Sequence, residues 1–165
     1  VLSAATHGNV AGTDTGSVYV LDSIGSVTLT INNPFPTAGD RFGSSIVALG
    51  TNIVVRTPNN DDAGGVDSGS VYVFDSAGTL LLTINNPQPD SNDLFGQNIA
   101  VVGNNIVITA PNNDVSSISN AGTVYVFDGT TGALLRTIDN PTPDDNDIFG
   151  HSLAALDATS SATLL

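Results

Sequence analysis

The sequence predicts an all-β chain built from four-stranded antiparallel sheets repeated along its length. Three observations predict it: an internal repeat, a composition rich in turn formers, and strands that are apolar at consecutive positions. The repeat is carried by Gly16-Ser17-Val18-Tyr19-Val20-Leu21-Asp22. It returns as Gly69-Ser70-Val71-Tyr72-Val73-Phe74-Asp75 and again as Gly122-Thr123-Val124-Tyr125-Val126-Phe127-Asp128, 53 residues further on each time. Asn33-Pro34, Asn86-Pro87 and Asn140-Pro141 keep step with it, as do Phe42-Gly43, Phe95-Gly96 and Phe149-Gly150. The last copy gains one residue near Gly129 to Gly132.

Composition narrows the class. All 16 acidic residues are Asp; Glu, Lys, Cys, Met and Trp are absent, and Arg41, Arg56 and Arg136 are the only fixed cations. Asp, Asn, Gly and Pro make turns, whereas the strong helix formers Glu, Lys and Met are missing. A net charge of -13 excludes nucleic acid as a partner, because phosphates need Lys and Arg to neutralise them. It disfavours an anionic membrane surface for the same reason and leaves positive partners, metal cations above all. No apolar run approaches the ~20 residues that span a bilayer. Without Cys there is no disulfide framework to indicate a redox compartment. No Asn-x-Ser/Thr acceptor with x other than Pro occurs. The chain opens at Val1 and reads as a mature product or a piece of something longer.

In the repeat unit that opens at Phe95, Asn98 to Val102 and Ile106 to Thr109 flank the turn Gly103-Asn104-Asn105. Val124 to Phe127 and Ala133 to Ile138 flank a turn at Gly129 to Gly132. The unit is thus two hairpins joined by a long polar loop, Pro111 to Ala121. Runs such as Val-Tyr-Val-Phe and Ile-Val-Ile need cover on both faces, which a sheet stacked between two like sheets provides. Radially stacked four-stranded sheets are propeller blades. The fold expected is therefore a β-propeller-type array of about three blades, with units at approximately 1–41, 42–94, 95–148 and a partial 149–165. Val1 to Ala5 fall where a second strand belongs and Ser152 to Leu156 where a first strand belongs. The tail Ser160 to Leu165 loses the pattern of Ile106 to Pro111. Three blades are fewer than the about four to eight that close a ring, so a longer parent chain, a dimer closing six blades or an open stack is expected.

In such a meander the two long loops of each unit share one rim. That rim collects Asp14, Asp40, Asp61, Asp62, Asp67, Asp90, Asp93, Asp114, Asp144, Asp145 and Asp147, while the opposite rim carries Asp22, Asp75 and Asp128. The candidate ligands for Ca²⁺, which takes about six to eight oxygens from carboxylates, amides and backbone, are Asp61, Asp62, Asp90, Asn92, Asp93, Asp114, Asp144, Asn146 and Asp147. No EF-hand spacing exists, and the competing reading is that these residues shape turns and charge the surface. Catalysis has little support: His7 and His151 occupy unlike repeat positions, and Ser152 beside His151 is adjacent in sequence only. Phe42, Phe95 and Phe149 read as packing anchors between blades. Tyr19, Tyr72 and Tyr125 read as core, with a hydroxyl available to a seam where a sugar could sit.

These residues resemble the FG-GAP repeats of integrin α-subunit heads and of bacterial secreted and surface proteins. Phe42-Gly43 and Phe95-Gly96 correspond to the opening of the motif; Arg56-Thr57-Pro58 and Thr109-Ala110-Pro111 correspond loosely to its close, and the resemblance runs from about Val1 to Leu156. It implies a secreted or cell-surface propeller module that is not an enzyme, used for adhesion, protein–protein interaction or assembly, with Ca²⁺ assisting. The family's Ca²⁺ loop between first and second strands is missing, since those turns are only Gly50-Thr51-Asn52 and Gly103-Asn104-Asn105. Partners expected are a protein or glycan at the acidic loop rim, together with self-association or a longer parent chain. The alternatives are a carbohydrate-binding lectin using pockets between blades and an accessory domain of a secreted hydrolase.

Overall fold

The computed structural model describes residues 2–5, 13–61 and 65–155, and every regular element among them is a β-strand. The first sheet holds β1 (Leu2–Ala5), β2 (Ser17–Leu21) and β3 (Val27–Asn32). The second holds β4 (Ile46–Leu49), β5 (Asn52–Thr57), β6 (Ser70–Phe74) and β7 (Leu80–Asn85). The third holds β8 (Ile99–Val102), β9 (Asn105–Ala110), β10 (Thr123–Asp128) and β11 (Leu134–Asp139). Each sheet is an antiparallel meander in chain order, as the two-hairpin reading requires.

The turns explain the registers. Between third and fourth strands a single Asp closes the hairpin: Asp75 Oδ1 accepts from the N–H groups of Ala77 (2.9 Å) and Thr79 (2.8 Å), and Asp22 does the same for Ile24 and Ser26. Asp128 accepts from Thr130 and Thr131 (2.9 and 2.8 Å), so the extra residue of the third copy is absorbed within this turn. The three aspartates of the opposite rim are thus turn makers. Backbone bonds from Thr79 and Thr131 chiefly hold the carboxyls of Asp75 and Asp128 below the usual range. A bulge follows at the same place in every copy, between Val20 and Leu21, Val73 and Phe74, and Val126 and Phe127.

Burial confirms that sheets cover one another. On β6, Tyr72 and Phe74 pack toward the first sheet with Val18, Ile31, Phe42, Ile53 and Val55. Val71 and Val73 face the third sheet and pack with Phe95, Ile106, Ile108, Tyr125 and Phe127. All five residues of β6 are buried. Phe42 and Phe95 anchor the two seams as expected: each stands edge-on to a third-strand Phe (Phe74 at 5.9 Å, Phe127 at 6.0 Å) beside a tilted Tyr. Arg56 of β5 reaches across the second seam, donating to the backbone oxygen of Gln97 from Nη1 and to its Oε1 from Nη2.

The expected strand at β1 forms and pairs with β2 (Leu2 with Val20, Ala5 with Ser17); Val1 lies outside the described residues. The strand expected at Ser152 to Leu156 is a correction, because residues 152–155 take no strand conformation and Leu156 lies outside the described residues. A strand is held by ladder bonds to a neighbour, and the expected partner, 160–165, also lies outside them.

Candidate functional site

The long-loop rim is organised by two devices that recur in each copy. The first ties each blade-to-blade connection with one Asn and one Asp. Asn86 Oδ1 accepts from the N–H of Gln88 (3.1 Å), which fixes the turn around Pro87, while its Nδ2 donates to Asp93 Oδ2 (2.7 Å). The same Asp93 oxygen accepts from the N–H of Asp90 (2.6 Å), and both Asn86 and Asp93 are buried. Asn33 and Asp40 repeat the arrangement (2.6 Å), with Thr37 donating to Asp40 from its N–H (2.7 Å) and its hydroxyl. Asn140 and Asp147 repeat it again (2.9 Å), with the N–H of Asp144 at 2.8 Å. Burial raises the carboxyl of Asp40, and it pushes Asp93 up to about 6 with further help from the charges of Asp90 and Asp114; the hydrogen bonds oppose the rise.

The second device is a close backbone crossing at each seam. Leu94 donates its N–H to the carbonyl of Asp67 (3.3 Å) and Phe95 to that of Ser68 (3.0 Å). Ile148 and Phe149 bond likewise to Asn120 (2.9 Å) and Ala121 (3.0 Å). A Cβ on Gly69 would lie 2.1 Å from the carbonyl oxygen of Phe95, and the backbone there has φ of +86°. Glycine alone meets both conditions, which is why Gly16, Gly69 and Gly122 open the repeated third-strand segment.

Against this frame the expected cation ligands are turn formers. Asp93 and Asp147 are the clasp carboxylates just described. Asp61 Oδ1 accepts from the N–H of Asp67 (3.0 Å) and Asp114 Oδ1 from that of Asn120 (2.8 Å), each closing its long loop. Asp90 and Asp144 accept from the next residue's N–H (2.8 and 2.9 Å). Asn92 and Asn146 stand at positive φ (68° and 65°) and donate their N–H groups to Val66 and Ser119 across the seams. Asp62 lies outside the described residues. Among the described residues no three His or Asp side chains come together as a metal site. The side-chain pairing that recurs in every copy joins Asp40, Asp93 and Asp147 to the Asn seven positions before each of them.

Sequence reasoning missed that pairing. The signal was present, because Asn33 to Asp40, Asn86 to Asp93 and Asn140 to Asp147 keep one spacing while the repeat gains its extra residue elsewhere. It also missed Phe35, which is 60 % exposed on this rim. As for the histidines, His151 donates its N–H to Ile148 (3.0 Å) and gives its carbonyl to Asn98 Nδ2 (2.7 Å); His7 lies outside the described residues.

Stacked four-stranded meanders, joined by glycine crossings and clasped loops, define an all-β repeat protein of the propeller-blade class, a class generally used for protein interaction. Within that class, residues 36–74 and 87–127 match the FG-GAP repeat. The chain belongs to the FG-GAP repeat family. No curated protein matches it. Among the described residues no helix is long and apolar enough to cross a membrane.

Proposed function

We propose that this chain is a non-catalytic interaction module, acting outside the cell or at its surface, that assembles by stacking blades and offers its acidic loop rim to protein partners. One observation carries the reading: the outer face of the third sheet repeats the apolar positions of the second sheet but stands open. Ile84 is 3 % exposed beneath the third sheet, whereas its counterpart Ile138 is 38 % exposed; Leu49 is 5 % exposed and its counterpart Val102 is 38 % exposed. Val124 and Val126 occupy the places of Val71 and Val73 on that face. Phe149-Gly150 already rests there, Gly150 lying close to Thr109 and Val124, so the opening of a further unit is seated in register. The occupant that fits is another blade of this kind, supplied in the test by the first sheet of a second copy, with Tyr19 and Leu21 in the places that Tyr72 and Phe74 hold at the first seam. Such front-to-back contact is heterologous and closes or propagates according to its rotation.

The rim supports the partner class. Asp90, Asp114, Asp144 and Asp145 are exposed there on a chain of net charge -13, which favours proteins presenting Lys and Arg. The family's usual occurrence in surface and extracellular proteins supports the location.

The test is sedimentation of the 165-residue chain at about 100 μM. Assembly beyond the monomer is expected, growing with added salt as the self-repulsion of like charges is screened. Val126→Asp, which places a charge on the open face, is expected to return it to monomer with little loss of melting temperature. A monomer at all salt concentrations, or assembly untouched by Val126→Asp, overturns the proposal.

A further inference from the structure

Phe35 is an anomaly in a repetitive molecule. The copies place Gln88 and Thr142 at its position, between the two prolines that follow the clasp asparagine. A large apolar ring at 60 % exposure on a charged rim gains nothing for the core. Nor does the ring hang free. Its backbone N–H is held by Asn33 Oδ1 (3.1 Å), prolines flank it on both sides, and its centroid lies 6.3 Å from that of Tyr72 with planes tilted by 38°. It is a rigid platform.

Below the ring, at the seam of the first and second sheets, is a cavity of about 400 Å³ lined by Phe35, Asn60, Asp61, Tyr72, Thr83 and Asn85. That volume lies within the range of small-ligand sites, about 300 to 1,000 Å³. The polar wall is mixed in kind. Asn85 spends its Oδ1 on the Ser70 hydroxyl (3.0 Å), which turns its Nδ2 into a donor for the cavity. Asp61 spends Oδ1 on the N–H of Asp67 (3.0 Å) and keeps Oδ2 as an acceptor. Thr83, exposed at the mouth, both donates and accepts.

We infer that this seam binds a neutral hexopyranose, its apolar C–H face laid on Phe35 and adjacent hydroxyls bonded to Asp61 and Asn85. The chemistry selects that class among small molecules. A hydroxyl donates to the carboxylate and accepts from the amide at once, so a vicinal pair satisfies donor and acceptor together. An organic cation satisfies Asp61 and the ring but makes no bond to the exposed Asn85 amide, which a sugar hydroxyl accepts from. A uronate or other acidic sugar is repelled by Asp61, with Asp40 close behind it. The second seam lacks this site, with Gln88 in place of the ring and Asp139 in place of Asn85. The inference does not rest on assembly, since the cavity lies between the first and second sheets, away from the open face of the third.

The test is saturation-transfer NMR on the whole chain with the methyl glycopyranosides of glucose, galactose and mannose, and with methyl glucuronate glycoside and methylguanidinium as controls, each at about 10 mM. At least one neutral glycoside is expected to receive saturation, and neither control is. Phe35→Thr, which installs the residue of the third copy at an exposed position, is expected to weaken binding about tenfold or more at unchanged melting temperature. Asn85→Asp, which removes the donor, is expected to weaken it similarly. No transfer to any neutral glycoside, transfer that survives Phe35→Thr, or preference for methylguanidinium overturns the inference. The sedimentation of Phe35→Thr is expected to match that of the parent chain, so failure here is separable from failure of the assembly reading.

Discussion

Gly69→Ala is expected to cost about 3–5 kcal/mol, a loss that leaves much of the chain unfolded at ambient temperature. Two penalties act together. The left-handed φ of +86° disfavours any side chain by about 1–2 kcal/mol, and the added methyl would stand 2.1 Å from the Phe95 carbonyl oxygen. That oxygen belongs to backbone pinned by the N–H bonds of Leu94 and Phe95 across the seam, so it cannot withdraw without parting the sheets. Urea unfolding of Gly69→Ala beside Gly25→Ala separates the penalties. Gly25 has a similar φ, +89°, with nothing within 4 Å of the added carbon, and should lose only the conformational part. Equal losses would mean that the crossing yields, and the stacking account with it.

Asp93→Ala is the second large effect, about 2–5 kcal/mol at neutral pH. It strands the buried amide of Asn86 and the N–H of Asp90, two donors that now share one carboxylate oxygen. The same residue gives a pH signature. The folded carboxyl titrates at about 6 against an ordinary 3.8, so between those values the native state binds the proton that the unfolded chain has released. The stabilisation from this group is therefore complete below about pH 4 and fades as pH rises through about 6. In denaturant titrations from pH 4 to 8, Asp93→Asn is expected to show a shallower fall with pH than the parent chain. The difference between the two isolates this residue from the general relief of a net charge of -13 on acidification. Identical slopes would show that the clasp carboxylate stays ionised throughout.

Much of this architecture was legible before any coordinates. The apolar pairs Val71/Val73 and Tyr72/Phe74 announced a strand covered on both sides, and alternation along β6 assigns one pair to each seam. Strand bounds came out within about two residues because Asp-led turns and Gly103-Asn104-Asn105 punctuate them chemically. The rim was less legible. Composition reports how many carboxylates are near and not where each one points, so the turns closed by Asp90 and Asp144 and the clasps at Asp93 and Asp147 left no trace in it. Asp93 and Asp147 are paired with Asn86 and Asn140, and an Asn–Asp bond leaves no mark in a charge count. Phe35 was hidden by the method that revealed the fold, since a search for what recurs passes over the position that does not.

The clasp has one more consequence. Each Asn–Asp tie is local, so the connection acquires its shape without help from whatever follows; Asn140 and Asp147 close theirs after β11, the last strand among the described residues. A gene segment encoding one such unit can therefore be copied and inserted in tandem with its joint already made. Lengthening the array by duplication asks for no compensating change elsewhere, which is a route by which a chain comes to hold near-identical copies of one sheet.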